Sequence, residues 1–183
     1  FNYSFRYPAE YEVYKPSLSA ENYISKKMAN NKTVVNNSYD NTILYTDFIL
    51  SSVIESVKEF GGSSVLAYVS DHGEDLWEPE CDDGENQRKS SRSFEIPAFF
   101  WFSDMAMVDL AAREQQLRLN ADRPAVGSIM PQTILDVTGI EVAGPPANSY
   151  MQPDESEHPR RVYAHTGWVD FDMAKQKNAC YIS

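Results

Sequence analysis

LAYVSDHGEDLW, residues 66 to 77, decides how the rest of this chain is read. It opens as an unbroken apolar run and ends in Asp71, His72, Gly73 and Glu74. A short apolar run between polar residues reads as a fully buried strand, Ser64 to Ser70, of the parallel-sheet kind. Its end is unusual, because the side chains that follow bind metals or move protons. Adjacent residues of a regular strand point to opposite faces, so Asp71 and His72 reach one cation only if the chain is already turning. Gly73 is read as supplying that freedom, since glycine adopts backbone angles closed to other residues. Glu74 would then orient His72 or support it from behind. A carboxylate and a neutral imidazole suit Zn2+, and the carboxylate also suits Mn2+ or Mg2+. The competing reading is a plain polar turn, because two adjacent ligands do not complete a tetrahedral site.

Working outward, Tyr39, Ile43, Leu50, Val53, Ile54 and Val57 recur at helical spacing from Ser38 to Phe60, and Gly61 and Gly62 stop that helix. Residues 1–35 form an irregular Tyr- and Pro-rich segment, with a short helix expected near Ser19 to Lys27. Residues 78–93, EPECDDGENQRKSSRS, read as a long polar loop before a second buried strand, Ile96 to Phe102. A helix is expected over Val108 to Leu119, with Leu110, Leu117 and Leu119 partly inward. Another begins with Ser128 as its cap and Pro131 in its first turn, and stops at Gly139. Val162 to Ala164 suggests a further short strand. This alternation predicts an α/β fold: a mixed, mostly parallel sheet covered by helices on both faces. In such sheets ligands sit beyond the carboxyl ends of strands, where Asp71 and His72 fall.

Bulk properties narrow the function. Of 183 residues, 42% are apolar and 13% aromatic, which excludes a disordered chain. A net charge of −11 argues against nucleic acid as a partner. An anionic substrate therefore needs a metal or a local cluster of Arg and Lys. The sequence neither begins with Met nor carries a secretory signal, so Phe1 reads as a point inside a longer protein. Cys81 and Cys180 fit either one long-range disulfide or two free thiols.

Four stretches in order, NSYDNTILYTDFILSSVIE (37–55), VLAYVSDHGE (65–74), IPAFFWFS (96–103) and IMPQTILDVTGI (129–140), resemble phosphoethanolamine transferases. FRYP (5–8) adds to the likeness, which runs over most of residues 1–140. These enzymes belong to the sulfatase and alkaline phosphatase superfamily. The resemblance implies a zinc-dependent enzyme anchored in the bacterial inner membrane, with its catalytic domain facing the periplasm. It implies transfer of phosphoethanolamine from a phospholipid donor to lipid A or another surface glycan, through a threonine nucleophile. Asp71 and His72 match the family's consecutive metal ligands. Tyr39 to Asp47 match a helix near the site, although plain helix packing also accounts for them.

The same resemblance implies that this chain is the C-terminal part of the catalytic domain: residues 1–35 an irregular segment, 36–140 the metal-site core, 141–183 a C-terminal extension. The nucleophile would lie in the missing N-terminal half, so the chain alone is expected to be inactive. Thr33, Thr42, Thr46, Thr133, Thr138 and Thr166 all stand in the wrong context to replace it. Some family members carry a histidine about a dozen residues after Asp-His-Gly-Glu, and this loop has none. Arg88, Lys89 and Arg92 are candidates to hold a phosphate there instead, against the reading of a solvated, mixed-charge loop. His165, after a short apolar run, is a further candidate beside a structural role, whereas His158 sits in a polar stretch. Asp82, Asp83 and Glu85 do not match a calcium loop. Rival readings are a sulfatase, a phosphoglycerol transferase or phosphodiesterase of the same superfamily, and an inactive split domain.

Overall fold

A single 29-residue helix, α1 (Lys32–Phe60), organises the first part of the chain. The computed structural model describes residues 6–19, 31–76, 81, 89–143, 148–152 and 159–183. Asn31 caps α1, its side-chain oxygen accepting from Val34 N at 3.2 Å. Gly61 and Gly62, with φ of 75° and 84°, end it in the left-handed conformation that glycine tolerates. The helix starts six residues earlier than its apolar stripe suggests, and its buried face is different. Val34, Val35, Ser38, Asn41 and Thr42 are buried, while Ile43 and Val53 of the expected stripe are exposed.

That partly polar face works because each polar group has a partner. Ser38 Oγ donates to Val34 O at 2.7 Å and accepts from Leu18 N at 2.7 Å. Asn41 Oδ1 accepts from Val13 N at 2.9 Å and Tyr14 N at 2.8 Å, and its Nδ2 donates to Tyr14 O at 3.0 Å. Residues 13–18 are thereby stitched onto α1, where Leu18, Val34 and Val35 form a buried cluster with Leu76 against it. Periodicity of apolar residues alone does not reveal a face held this way. The expected helix near residues 19–27 lies almost wholly outside the described residues.

Two compact units result, Phe1–Phe60 with Leu76–Asn86 and Gly61–Asp75 with Gln87–Ser183. In the second, β1 (Val65–Val69) pairs antiparallel with β2 (Ala98–Phe102), Val65 opposite Phe102 and Val69 opposite Ala98. The strands stand where the sequence puts them, but their direction and burial differ from expectation. An apolar run specifies burial and not direction, and most of these residues are half-buried rather than enclosed. Ser103 ties this hairpin to its surroundings: its Oγ accepts from Ala106 N at 3.2 Å, capping α2 (Asp104–Asp109), and donates to Gly62 O at 3.0 Å.

The expected helix over 108–119 is two, α2 and α3 (Ala111–Leu119), broken at Leu110, and Leu119 is exposed. In α4 (Met130–Thr138) Pro131 lies in the first turn and Gly139, with φ of 72°, ends the helix, but Ser128 sits in a preceding 3-10 turn and caps nothing. A hairpin of β3 (Arg161–Ala164) and β4 (Gly167–Asp170) leads into α5 (Phe171–Lys177). Its core is Ala164, Phe171, Ala174 and Ile182. β4 and α5 escape a periodicity search because each is one or two turns of pattern long. Neither cysteine is a free thiol; Cys81 and Cys180 are both disulfide-bonded. No helix among the described residues is long and apolar enough to cross a membrane.

Replacing Asn41 with Ala leaves the Val13 and Tyr14 amides without their buried acceptor, and should cost about 2 kcal/mol of stability. Urea unfolding and amide exchange measure this; unchanged stability with unchanged exchange at Val13 and Tyr14 would refute the anchoring role.

Candidate metal centre and cleft

Beyond Val69 the chain bends at Asp71. Ser70 N still donates across to Pro97 O at 3.1 Å, and Ser70 Oγ donates to His72 O at 2.9 Å. Gly73 N then donates to Ser93 O at 2.9 Å, drawing residues 92–95 against the bend. This contact corrects the reading of Gly73. It is not among the glycines with positive φ. A Cβ there would lie 2.0 Å from Arg92 O and 3.1 Å from Glu95 O, so close approach of a second backbone, not an unusual dihedral, demands glycine.

Asp75 fastens the far side of the bend. Its Oδ2 accepts from Lys89 N at 2.6 Å and Ser90 N at 3.0 Å, and its Oδ1 from Ser90 Oγ at 2.5 Å and Ser93 Oγ at 2.8 Å. Burial works to raise the pKa of this carboxyl, but the bonds from Ser90, Ser93 and Lys89 outweigh it and hold it below the usual range. Asp75 is not among the residues that the sequence singles out. The available signal was its place opposite KSSRS, a run of hydroxyls and amides able to satisfy a buried carboxylate.

Held this way, Asp71 and His72 converge. Asp71 Oδ2 lies 3.7 Å from His72 Nε2, and Asp71 Oδ1 accepts from His72 N at 3.0 Å. Coulombic attraction to His72, more than any other influence, holds the exposed Asp71 carboxyl below the usual range. His72 Nδ1 lies 2.8 Å from Gly73 O, a carbonyl that only accepts, so Nδ1 carries the hydrogen and Nε2 keeps its lone pair. The orienting partner expected in Glu74 is therefore the Gly73 carbonyl at hydrogen-bond range, with Glu74 Oε1 at 3.7 Å from the same nitrogen. Two donors on one tetrahedral zinc stand about 3.3 Å apart, close to the separation found here. The pair fits one cation and leaves its other positions to further ligands; no group of three His, Cys, Asp or Glu able to hold a metal occurs among the described residues.

Asp71 and His72 line a cleft of about 840 Å³, within the size range of small-molecule sites. Its cations are not the expected ones. Arg160 and Arg161 line it, whereas Lys89, Arg92 and His165 do not. Lys89 lies over the Tyr181 ring at 5.8 Å, Arg92 stands 3.5 Å from Glu95, and His165 is exposed in the β3–β4 turn. Arg88 and His158 lie outside the described residues. Arg160 stacks on Phe171 at 5.0 Å and pairs with Asp172 through both nitrogens of its fork, which holds the Asp172 carboxyl low. The helical threonines Thr42, Thr46, Thr133 and Thr138 donate their hydroxyls to carbonyls one turn back, as structural hydroxyls do.

The sulfatase family model matches residues 1–140. The chain belongs to the sulfatase family. Over 125 residues it is 32% identical to Kdo(2)-lipid A phosphoethanolamine 7''-transferase of Escherichia coli (strain K12), covering 67% of this chain and 21% of that protein. It is 27% identical to phosphoethanolamine transferase EptC of Escherichia coli O18:K1:H7, over 93% of this chain and 30% of the relative. Both of these relatives are phosphoethanolamine transferases, and the chain spans less than a third of either. The crystal structure of the C-terminal periplasmic domain of EcEptC from Escherichia coli superposes with a TM-score of 0.72 at 24% identity, covering 99% of this chain and 52% of that one. The α/β, sulfatase-like fold is therefore established, and the chain spans about half of that domain.

Because Asp75 is depressed below the usual carboxylate value, its stabilisation is present above about pH 4 and is lost as pH falls through its folded pKa. Asp75→Asn should cost roughly 3 kcal/mol at neutral pH. Urea unfolding of both proteins should show that gap shrinking as pH drops below about 4; a pH-independent gap would contradict the assignment.

Proposed function

We propose that this chain is the metal-holding part of an enzyme that moves phosphoethanolamine from a phospholipid to lipid A or another surface glycan. The single observation carrying the reading is the convergence of Asp71 and His72 on one wall of the cleft, 3.7 Å apart, in a chain of this family. Asp71 offers an anionic oxygen, and His72 offers Nε2 because the Gly73 carbonyl holds its other nitrogen. A bound Zn2+ would neutralise charge on a phosphoryl oxygen and acidify an attacking hydroxyl. A threonine outside these residues would attack the donor phosphodiester and expel the diacylglycerol alcohol; the acceptor hydroxyl would then attack that phosphothreonine and free the threonine. Arg161 would add positive charge where the substrate phosphate enters.

The oxidised state of Cys81 and Cys180 supports an oxidising compartment, in keeping with a periplasmic site of action. In the intact protein, Asp71→Ala and His72→Ala should each reduce transfer below about 1% of wild type and release zinc. Full transfer in both variants would overturn the reading.

A further inference from the structure

The β3–β4 hairpin has two faces with different fates. Opposed residues of an antiparallel pair share a face, and faces alternate along each strand. Val162 stands opposite Val169, and both pack on the buried cluster around Phe171. The other face carries Tyr163 opposite Trp168 and Arg161 opposite Asp170. Tyr163 is 70% exposed and Trp168 63%, with their rings edge to face at 5.5 Å. They belong to neither core cluster, so packing among the described residues does not account for two large aromatic side chains here. Among the described residues Asp170 forms no ion pair with the arginine opposite it; its carboxylate caps α5 by accepting from Met173 N at 3.0 Å. Arg160, next in sequence, is committed to Asp172, which leaves Arg161 without an ion pair among the described residues. Arg161, Tyr163 and Trp168 all line the cleft that Asp71 and His72 line.

We propose that this hairpin face is the acceptor subsite and takes a phosphorylated sugar. The inference rests on the proposed function above and names where its glycan binds. A sugar ring presents a flat C–H face that an exposed indole and phenol cover without a deep apolar pocket. A guanidinium at the same rim recognises phosphate through paired N–H donors. The alternative occupant, a bilayer surface, fits less well. The aromatic pair lines a concavity of small-molecule size, which a planar bilayer surface does not enter.

The test is a titration of the intact protein, in chelator, with glucosamine phosphate, glucosamine, inorganic phosphate and anionic phospholipid vesicles. Backbone amide shifts of residues 161–170 report binding. Glucosamine phosphate should bind saturably, and about tenfold more weakly to Trp168→Ala and to Arg161→Gln. Inorganic phosphate and glucosamine should each bind more weakly than the combined ligand. No saturable binding, equal affinity in Trp168→Ala, equal binding of phosphate alone, or shifts driven only by vesicles would each overturn the proposal. Metal, donor and turnover play no part in this titration, so its failure is separable from retained transfer in the Asp71 and His72 variants.

Discussion

One buried carboxylate governs the candidate site. Asp75 gathers two backbone N–H groups and two hydroxyls from Lys89, Ser90 and Ser93, and so closes the chain on itself just after the bend. With Ser93 held there, its carbonyl receives Gly73 N, and the backbone of Arg92 comes so near that any side chain at residue 73 would collide with it. The bend is over-determined by these contacts, which is what a pair of ligands needs. Side chains that bind a cation in water lose affinity if they must first be ordered. Here the order is built in: Asp71 leans on the His72 amide, and the imidazole is fixed by the Gly73 carbonyl.

Much of this was legible before any coordinates. The apolar run, its acidic and imidazole ending and the order of four stretches give the family, the turn that brings Asp71 and His72 together and the existence of β1 and β2. Strand direction was not legible, because VLAYV and AFFWF carry no polar alternation to mark one covered and one open face. The buried face of α1 was missed for a related reason. Its inward residues include Ser38, Asn41 and Thr42, and their burial follows from hydrogen bonds to residues 13–18 and within the helix that a hydropathy pattern does not contain. Gly73 reads from sequence as a source of backbone freedom, whereas its constraint, a neighbouring backbone some twenty residues on, is a tertiary fact. Local sequence names the chemistry; distant sequence supplies the constraint.

The cleft shows the same division. Charge counting pointed to the basic loop for phosphate, yet Lys89 and Arg92 are engaged elsewhere, with Tyr181 and Glu95. The cations lining the cleft come from Arg160 and Arg161, whose position depends on a hairpin too short to stand out in sequence. That hairpin is held by burying Val162 and Val169, which forces Tyr163 and Trp168 outward on the opposite face. Packing on one side thus dictates recognition chemistry on the other.

The central claim is that Asp71 and His72 grip one cation. Anomalous diffraction at the zinc edge, on crystals of the protein grown with Zn2+, tests it directly. The account requires a single peak at bonding distance, about 2.0 to 2.2 Å, from both the Asp71 carboxylate and His72 Nε2. Zinc bound elsewhere, or bound to His72 through Nδ1 with Asp71 turned away, would contradict it.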